Sequence, residues 1–241
     1  MKRRDVIKGG LVLMATSTLA SIYKPAYSKT YVGGTGAWRA TPPPPLSVVD
    51  GSRLVYLTPD EAKLVGAIFD VLIPADELGM GATEAGCVTF LDHQLAGPYG
   101  TAAKDYKLGP VVEGLPQQGP QGIMTPAEIY RKGLVEFEHA VHAKFDRSFT
   151  ELSEEQKITF LHSVESGAIA FETLKSDQFF VLLLQNVREG YLADPMYGGN
   201  RDMVGWKLVG FPGAIYDYRD WIVSKRGKKI DVHPVSLLGR A

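Results

Sequence analysis

Five histidines, one cysteine and two glycine-rich stretches are the residues of this chain whose types could carry chemistry. His139 and His142 stand three apart beside Glu136 and Glu138, a spacing that could turn imidazole and carboxylate ligands to one side of a helix. A dinuclear centre inside a helical bundle needs a Glu-x-x-His tetrad from each of two helices. Glu136-Phe137-Glu138-His139 supplies one, and His162 with Glu165 runs in the reverse order, so these positions read as solvated polar residues. His93, in an otherwise helical stretch, reads as a locally satisfied histidine rather than a ligand. Gly81-Ala82-Thr83-Glu84-Ala85-Gly86 has the outer spacing of a phosphate loop, but Cys87-Val88 stands where lysine and a hydroxyl residue must follow. Gly33-Gly34-Thr35-Gly36 lacks the third glycine of a dinucleotide fingerprint, and no Gly-x-Ser-x-Gly elbow occurs. The single cysteine, Cys87, excludes a thiolate metal cluster, an internal disulfide and a Cys-x-x-Cys-His haem attachment. It reads as a buried small apolar residue, with an intersubunit disulfide as the alternative. No catalytic, cofactor-binding or metal-binding constellation emerges.

The elements that would position these residues are helical. Thr58-Pro59-Asp60-Glu61 places an N-cap, a proline at the first helical position and a glutamate that closes a capping box. Ala62, Val65, Phe69 and Leu72 then recur at helical spacing until Pro74 stops the run. A second helix is expected over 83–95. Thr125-Pro126-Ala127-Glu128 repeats the same punctuation ahead of Tyr130, Leu134, Phe137, Val141 and Phe145. Ser153 caps a shorter helix with Ile158, Leu161 and Val164, ending before Gly167. Ser176 precedes a last one carrying Phe180, Leu183, Leu184, Val187 and Tyr191, closed by Asp194-Pro195. No segment alternates for long enough to predict a sheet, so the fold class is all-α, an irregular helical bundle with long Gly/Pro-rich and aromatic-rich loops over 97–124 and 193–221.

The N-terminus has a different character. Arg3-Arg4 precedes a short apolar run, residues 9–22, and a small-x-small site at Ala26-Tyr27-Ser28, the layout of a twin-arginine export signal over residues 1–28. The run is too short and too rich in serine and threonine for a membrane span. Residues 29–54 form an extended arm with Trp38 and the run Pro42 to Pro45, and 55–241 a single helical domain. Of 26 basic and 27 acidic residues, the leader holds Lys2, Arg3, Arg4, Lys8 and Lys24 against Asp5, which leaves 21 and 26 and a net charge of −5. That balance argues against nucleic acid, which calls for a concentrated basic surface.

Between 197 and 221 lie Tyr197, Trp206, Phe211, Tyr216, Tyr218 and Trp221, too many aromatics for a disordered segment. Tyr, Trp and Arg dominate binding hot spots, so Tyr197, Gly198, Gly199, Asn200, Arg201, Trp206 and Phe211 form the candidate partner surface. Gly198-Gly199 suits a tight turn presenting Tyr197 beside Asn200 and Arg201.

The run Asp194-Pro195-Met196-Tyr197-Gly198-Gly199-Asn200-Arg201-Asp202-Met203-Val204-Gly205-Trp206-Lys207, with Gly210-Phe211-Pro212-Gly213, resembles the signature of the small subunit of gluconate 2-dehydrogenase. Leu57-Thr58, Asp70-Val71-Leu72-Ile73-Pro74, Gly81-Ala82 and Phe90-Leu91-Asp92 extend the similarity over residues 55 to 221. The resemblance implies a non-catalytic subunit that binds no FAD itself and pairs with a large FAD-dependent flavoprotein, often with a membrane-bound multihaem cytochrome c. It also implies a role in maturation of the flavoprotein and its carriage through the twin-arginine translocase. The complex would be periplasmic, at the cytoplasmic membrane. Related small subunits serve glucose, fructose and sorbitol dehydrogenases, so the sugar is chosen in the partner. The rival reading is a free-standing periplasmic binding or assembly protein whose long loops form a ligand pocket. A subunit should expose an apolar aromatic patch, whereas a binder should bury it in a cavity.

Overall fold

The computed structural model describes residues 48–105, 122–215, 217–228 and 233–240, with Val112, Gly114, Leu115, Gln118 and Ile230. Arg3, Arg4, the leader, Trp38, the glycines at 33–36, Tyr216 and much of the 97–124 connection lie outside the described residues. Among the described residues there are seven α-helices and no strand, so the fold is all-α. They are α1 (Pro59–Leu72), α2 (Cys87–Ala96), α3 (Pro126–Phe145), α4 (Glu154–Glu165), α5 (Ser176–Leu192), α6 (Val204–Val209) and α7 (Arg219–Ser224).

Local chemistry sets the starts of α1, α3 and α4. Thr58, Thr125 and Ser153 each accept from the backbone N–H three residues on, and Glu61, Glu128 and Gln156 reach back to the cap N–H. Each box satisfies two otherwise orphaned donors, a contribution of about 1 kcal/mol. Helix α2 begins at Cys87 rather than at 83. The turn before it is fixed by other partners: Thr83 N–H donates to Asp70 Oδ1 at 2.8 Å, and Gly86 takes the left-handed conformation at φ 87°. Ser176 is the first residue of α5, preceded by Lys175, and its hydroxyl donates back to Ile169 O at 2.6 Å. One short helix, α6, lies within the aromatic-rich connection expected as loop, and a second, α7, begins at its end.

Helix α5 is the hub of the packing, touching α1, α2, α3, α4 and α6. Phe179, Phe180, Leu183, Val187 and Tyr191 are buried along it. Tyr130, Leu134, Phe137 and Val141 of α3 are buried as the stripe requires. Phe137 stands edge-on to both Phe149 and Phe160, with ring centroids 5.1 Å apart in each case, a geometry worth about 1 kcal/mol per pair beyond area burial.

One buried carboxylate closes the bundle at its entry. Asp92, on the buried side of α2, accepts the backbone N–H groups of Val55, Tyr56 and Leu57 at 2.7, 2.9 and 2.7 Å. It thereby holds the chain leading into α1 against α2. The ring of Tyr56 lies 4.5 Å from the Arg131 guanidinium of α3, and its hydroxyl donates to Ala127 O at 2.6 Å. Arg131 also pairs with Glu61 of α1. The beginnings of α1 and α3 and the second half of α2 are thus cross-linked by polar contacts around one tyrosine.

Candidate partner-docking site

The segment after α5 turns back on the helix that precedes it. Asp194 caps the turn Pro195–Tyr197 by accepting Met196 N–H at 3.1 Å. The same carboxylate accepts Ser236 Oγ–H at 2.8 Å and Leu237 N–H at 2.9 Å, fastening the C-terminal turn beside it. Val49 N–H donates to Met196 O at 3.0 Å, so the chain entering the domain crosses the same loop.

The inner side of the segment is closely packed. A Cβ on Gly199 would lie 2.2 Å from Gly190 O, and one on Gly86 2.3 Å from Gly198 O, so backbone passes backbone with no room for a side chain. Asn200 is fully buried in the left-handed region at φ 46°. Its Nδ2 donates to Ala193 O at 2.7 Å, and its Oδ1 accepts Gly205 N–H at 2.8 Å. Asp202 and Met203 are left-handed as well, conformations that cost a non-glycine residue roughly 1 kcal/mol each and persist only where surrounding contacts fix them. Trp206 is 5% exposed, donates its indole N–H to Leu192 O at 2.7 Å and stands edge-on to Phe211 at 5.2 Å.

The outer side carries Tyr197 (43% exposed), Arg201 and Phe211 (45% exposed). The seven residues picked from the sequence therefore divide. Gly198, Gly199, Asn200 and Trp206 serve packing within the chain, and Tyr197, Arg201 and Phe211 are presented outward. Tyr197 lines an open groove of roughly 960 Å³ along α5, together with Phe90, Val181, Leu184, Leu192 and the polar Arg188 and Glu189. Val181 and Leu192 are largely exposed in it. The groove was legible only in part: Leu184 belongs to the core stripe, but the second stripe of 181, 184, 188 and 192, interrupted by Arg188, escapes a search for one apolar face.

The other candidates have local explanations. Glu138 accepts Phe149 N–H at 3.2 Å, with His142 3.8 Å away, and burial pushes its carboxyl up. Glu136 accepts Thr173 N–H at 3.2 Å, and His162 pairs with Glu165 at 3.1 Å on the surface. His139 is exposed, and His93 Nε2 lies 3.2 Å from Asp50 O. Among the described residues no group of three or more His, Cys, Asp or Glu is placed to hold a metal. Amides of the 81–86 turn are taken up within the protein: Ala82 and Thr83 N–H donate to Ile73 O and Asp70 Oδ1. Ala85, Gly86 and Cys87 N–H donate to Gly81, Thr83 and Ala82 carbonyls, so none of these faces outward to a phosphate. Cys87 is fully buried at the start of α2, and burial pushes its thiol up to about 12. The structure thus encloses the thiol that a disulfide to another subunit would have to reach.

No curated protein and no solved structure matches the chain. A model of the gluconate 2-dehydrogenase subunit 3 family matches residues 59–213, from the first residue of α1 to the glycine beyond Phe211.

Proposed function

The chain belongs to the gluconate 2-dehydrogenase subunit 3 family, and from that premise we propose that it is the non-catalytic small subunit of a periplasmic FAD-dependent dehydrogenase, docked to the flavoprotein through the Tyr197 groove. Membership supports a place in a dehydrogenase complex. The observation that carries the docking assignment is the division of one segment. Its glycines, Asn200 and Trp206 hold it against α5, and the exposed ring of Tyr197 lines a groove that also presents Val181, Leu184 and Leu192. An aromatic beside a desolvatable groove and an arginine is the composition of an interface hot spot. FAD and a multihaem cytochrome c belong, on this reading, to the partner subunits. The twin arginine at Arg3 and Arg4 would send the assembled pair through the translocase, the route that suits a partner folded around its cofactor. The oxidised substrate, gluconate or a related sugar or polyol, is selected in the flavoprotein.

Co-expression with a candidate FAD-dependent flavoprotein partner tests the reading. Tyr197→Ala, combined with Leu192→Asp in the groove, should cut co-purification by about thirtyfold, the consequence of losing about 2 kcal/mol at a hot spot, while circular dichroism stays helical. Undiminished co-purification would move the interface elsewhere. Lysine at both Arg3 and Arg4 should strand dehydrogenase activity in the cytoplasm, and normal periplasmic activity would remove the export half of the proposal.

A further inference from the structure

We infer that residues 217–228 form a contact for a membrane surface bearing anionic lipid headgroups. The segment lies beyond the family-matched residues 59–213. Every residue in it except Trp221 is exposed, including Tyr218 (39%), Ile222 (64%) and Val223 (85%). Trp221 is partly buried and stands edge-on to Tyr218 at 5.6 Å. Three exposed cations, Lys225, Arg226 and Lys228, follow directly, and from Trp221 to Ile230 there is no Asp or Glu. Among the described residues no ion pair engages these three. The two acids nearby do not offset them. Asp217 is taken up by Arg219, whose Nη2 lies 2.6 Å from it, and Asp220 sits a full turn before the cluster.

The arrangement fits a lipid surface better than a folded partner. At helical spacing Tyr218, Trp221 and Ile222 share one side of α7 and Val223 points off it, so the exposed apolar side chains spread over a wide arc. A deformable headgroup layer admits such an arc without a groove shaped to it. Tryptophan and tyrosine favour the interfacial depth of a bilayer, and clustered Lys and Arg are drawn to anionic headgroups. The contact is one-sided, since no helix among the described residues is long and apolar enough to cross a membrane.

Sedimentation of the full chain with phosphatidylglycerol-containing vesicles, and with vesicles of phosphatidylcholine alone, tests the inference without any partner subunit, so its outcome is separate from that of the docking assignment. Binding should be at least about tenfold stronger on the anionic vesicles and should fall in about 0.5 M salt. The triple change Lys225→Glu, Arg226→Glu, Lys228→Glu should remove that tenfold preference, and Ile222→Ser with Val223→Ser should weaken anionic binding by a similar factor. Brominated lipid should quench tryptophan fluorescence, and Trp221→Phe should abolish that component. Equal binding by wild type and both multiple variants would assign lipid contact to another part of the chain and overturn the inference. So would loss of flavoprotein co-purification in the triple variant with vesicle binding unchanged, because the surface would then belong to a protein partner.

Discussion

Residues 194–211 and 217–228 are alike in composition and opposite in structure. Each carries aromatics and arginine, and in sequence they read as one aromatic stretch. In the fold the first is sewn to α5 and to the turn before α2 by Asn200, Trp206 and Arg201, whose N–H donates to Ala85 O at 2.9 Å. The second has its side chains in solvent apart from Trp221, partly buried and edge-on to Tyr218. What separates them is glycine and asparagine rather than aromatic content. Close backbone approach at Gly199 and Gly205 allows the first segment to pack, and a buried amide satisfies the peptide groups that packing would otherwise orphan.

The largest effects should therefore come from adding or removing atoms on the inner side of 194–211. Gly199→Ala drives a methyl into Gly190 O, and Gly205→Ala drives one into Tyr191 O, at 2.2 and 2.0 Å. Backbone must move in both, at a cost of about 3 kcal/mol or more in urea denaturation of the isolated subunit. Trp206→Ala should cost about 3 to 5 kcal/mol with no partner present. A stable, helical Trp206→Ala protein would return that ring to the interface.

Asn200→Ala comes next. It leaves Gly205 N–H and Ala193 O without a protein partner in a buried site and removes the contact that supports three left-handed residues. A loss of about 2 to 3 kcal/mol is expected. Tyr197→Ala, three residues away, should change stability by no more than about 0.5 kcal/mol while weakening partner binding. Similar losses at both positions would erase the distinction between inner and outer sides.

Much of the fold was legible because its signals are local. The Thr-Pro-x-Glu punctuation places α1 and α3 to the residue, and the stripe from Tyr130 to Val141 identifies the core face. Features resting on contacts between distant segments were not. Asp92 looks like one of several polar residues in its helix, but its three donors come from 35 to 37 residues upstream. Helix α2 starts late because Gly86 turns left-handed, with Gly198 O of another segment standing where its side chain would be. Within the candidate site, Tyr197 and Phe211 are outward and Trp206 is inward, and nothing in residue type separates them. That choice is made by where the Leu192 carbonyl stands.

Cys87 tests the same joint from the α2 side at a smaller scale. Its Cβ lies 3.3 Å from where a side chain on Gly190 would begin, so it belongs to the contact that admits the Gly199 turn. Cys87→Ala should cost about 1 to 2 kcal/mol. With the folded thiol pushed up to about 12, both states are protonated below about pH 8.5 and the group contributes no pH dependence there. Above it the unfolded thiol ionises first, so the unfolded state binds fewer protons and stability falls with rising pH up to about 12. Buried Tyr130, also pushed up, adds a fall of the same sign above about pH 10. Cys87→Ala should remove the earlier part of this alkaline decline. Native protein at pH 8 should resist iodoacetamide, and rapid alkylation of the folded subunit would show that the joint opens.

The smallest stability effect is expected in residues 217–228, and its smallness is the test. Val223 is 85% exposed and Ile222 64%, so replacing both by serine removes little buried area. A surface change of this kind shifts folding free energy by about 0.5 kcal/mol or less. The amides of α7 should exchange with solvent faster than those of α5 in wild type and variant alike, because their hydrogen bonds close a six-residue helix with no packed face. If the double variant instead lost more than about 1 kcal/mol, or slowed exchange in wild type matched that of α5, then α7 would be packed on the domain. The contrast with residues 194–211 would then vanish, and with it the reason to treat the exposed isoleucine and valine as available to a membrane.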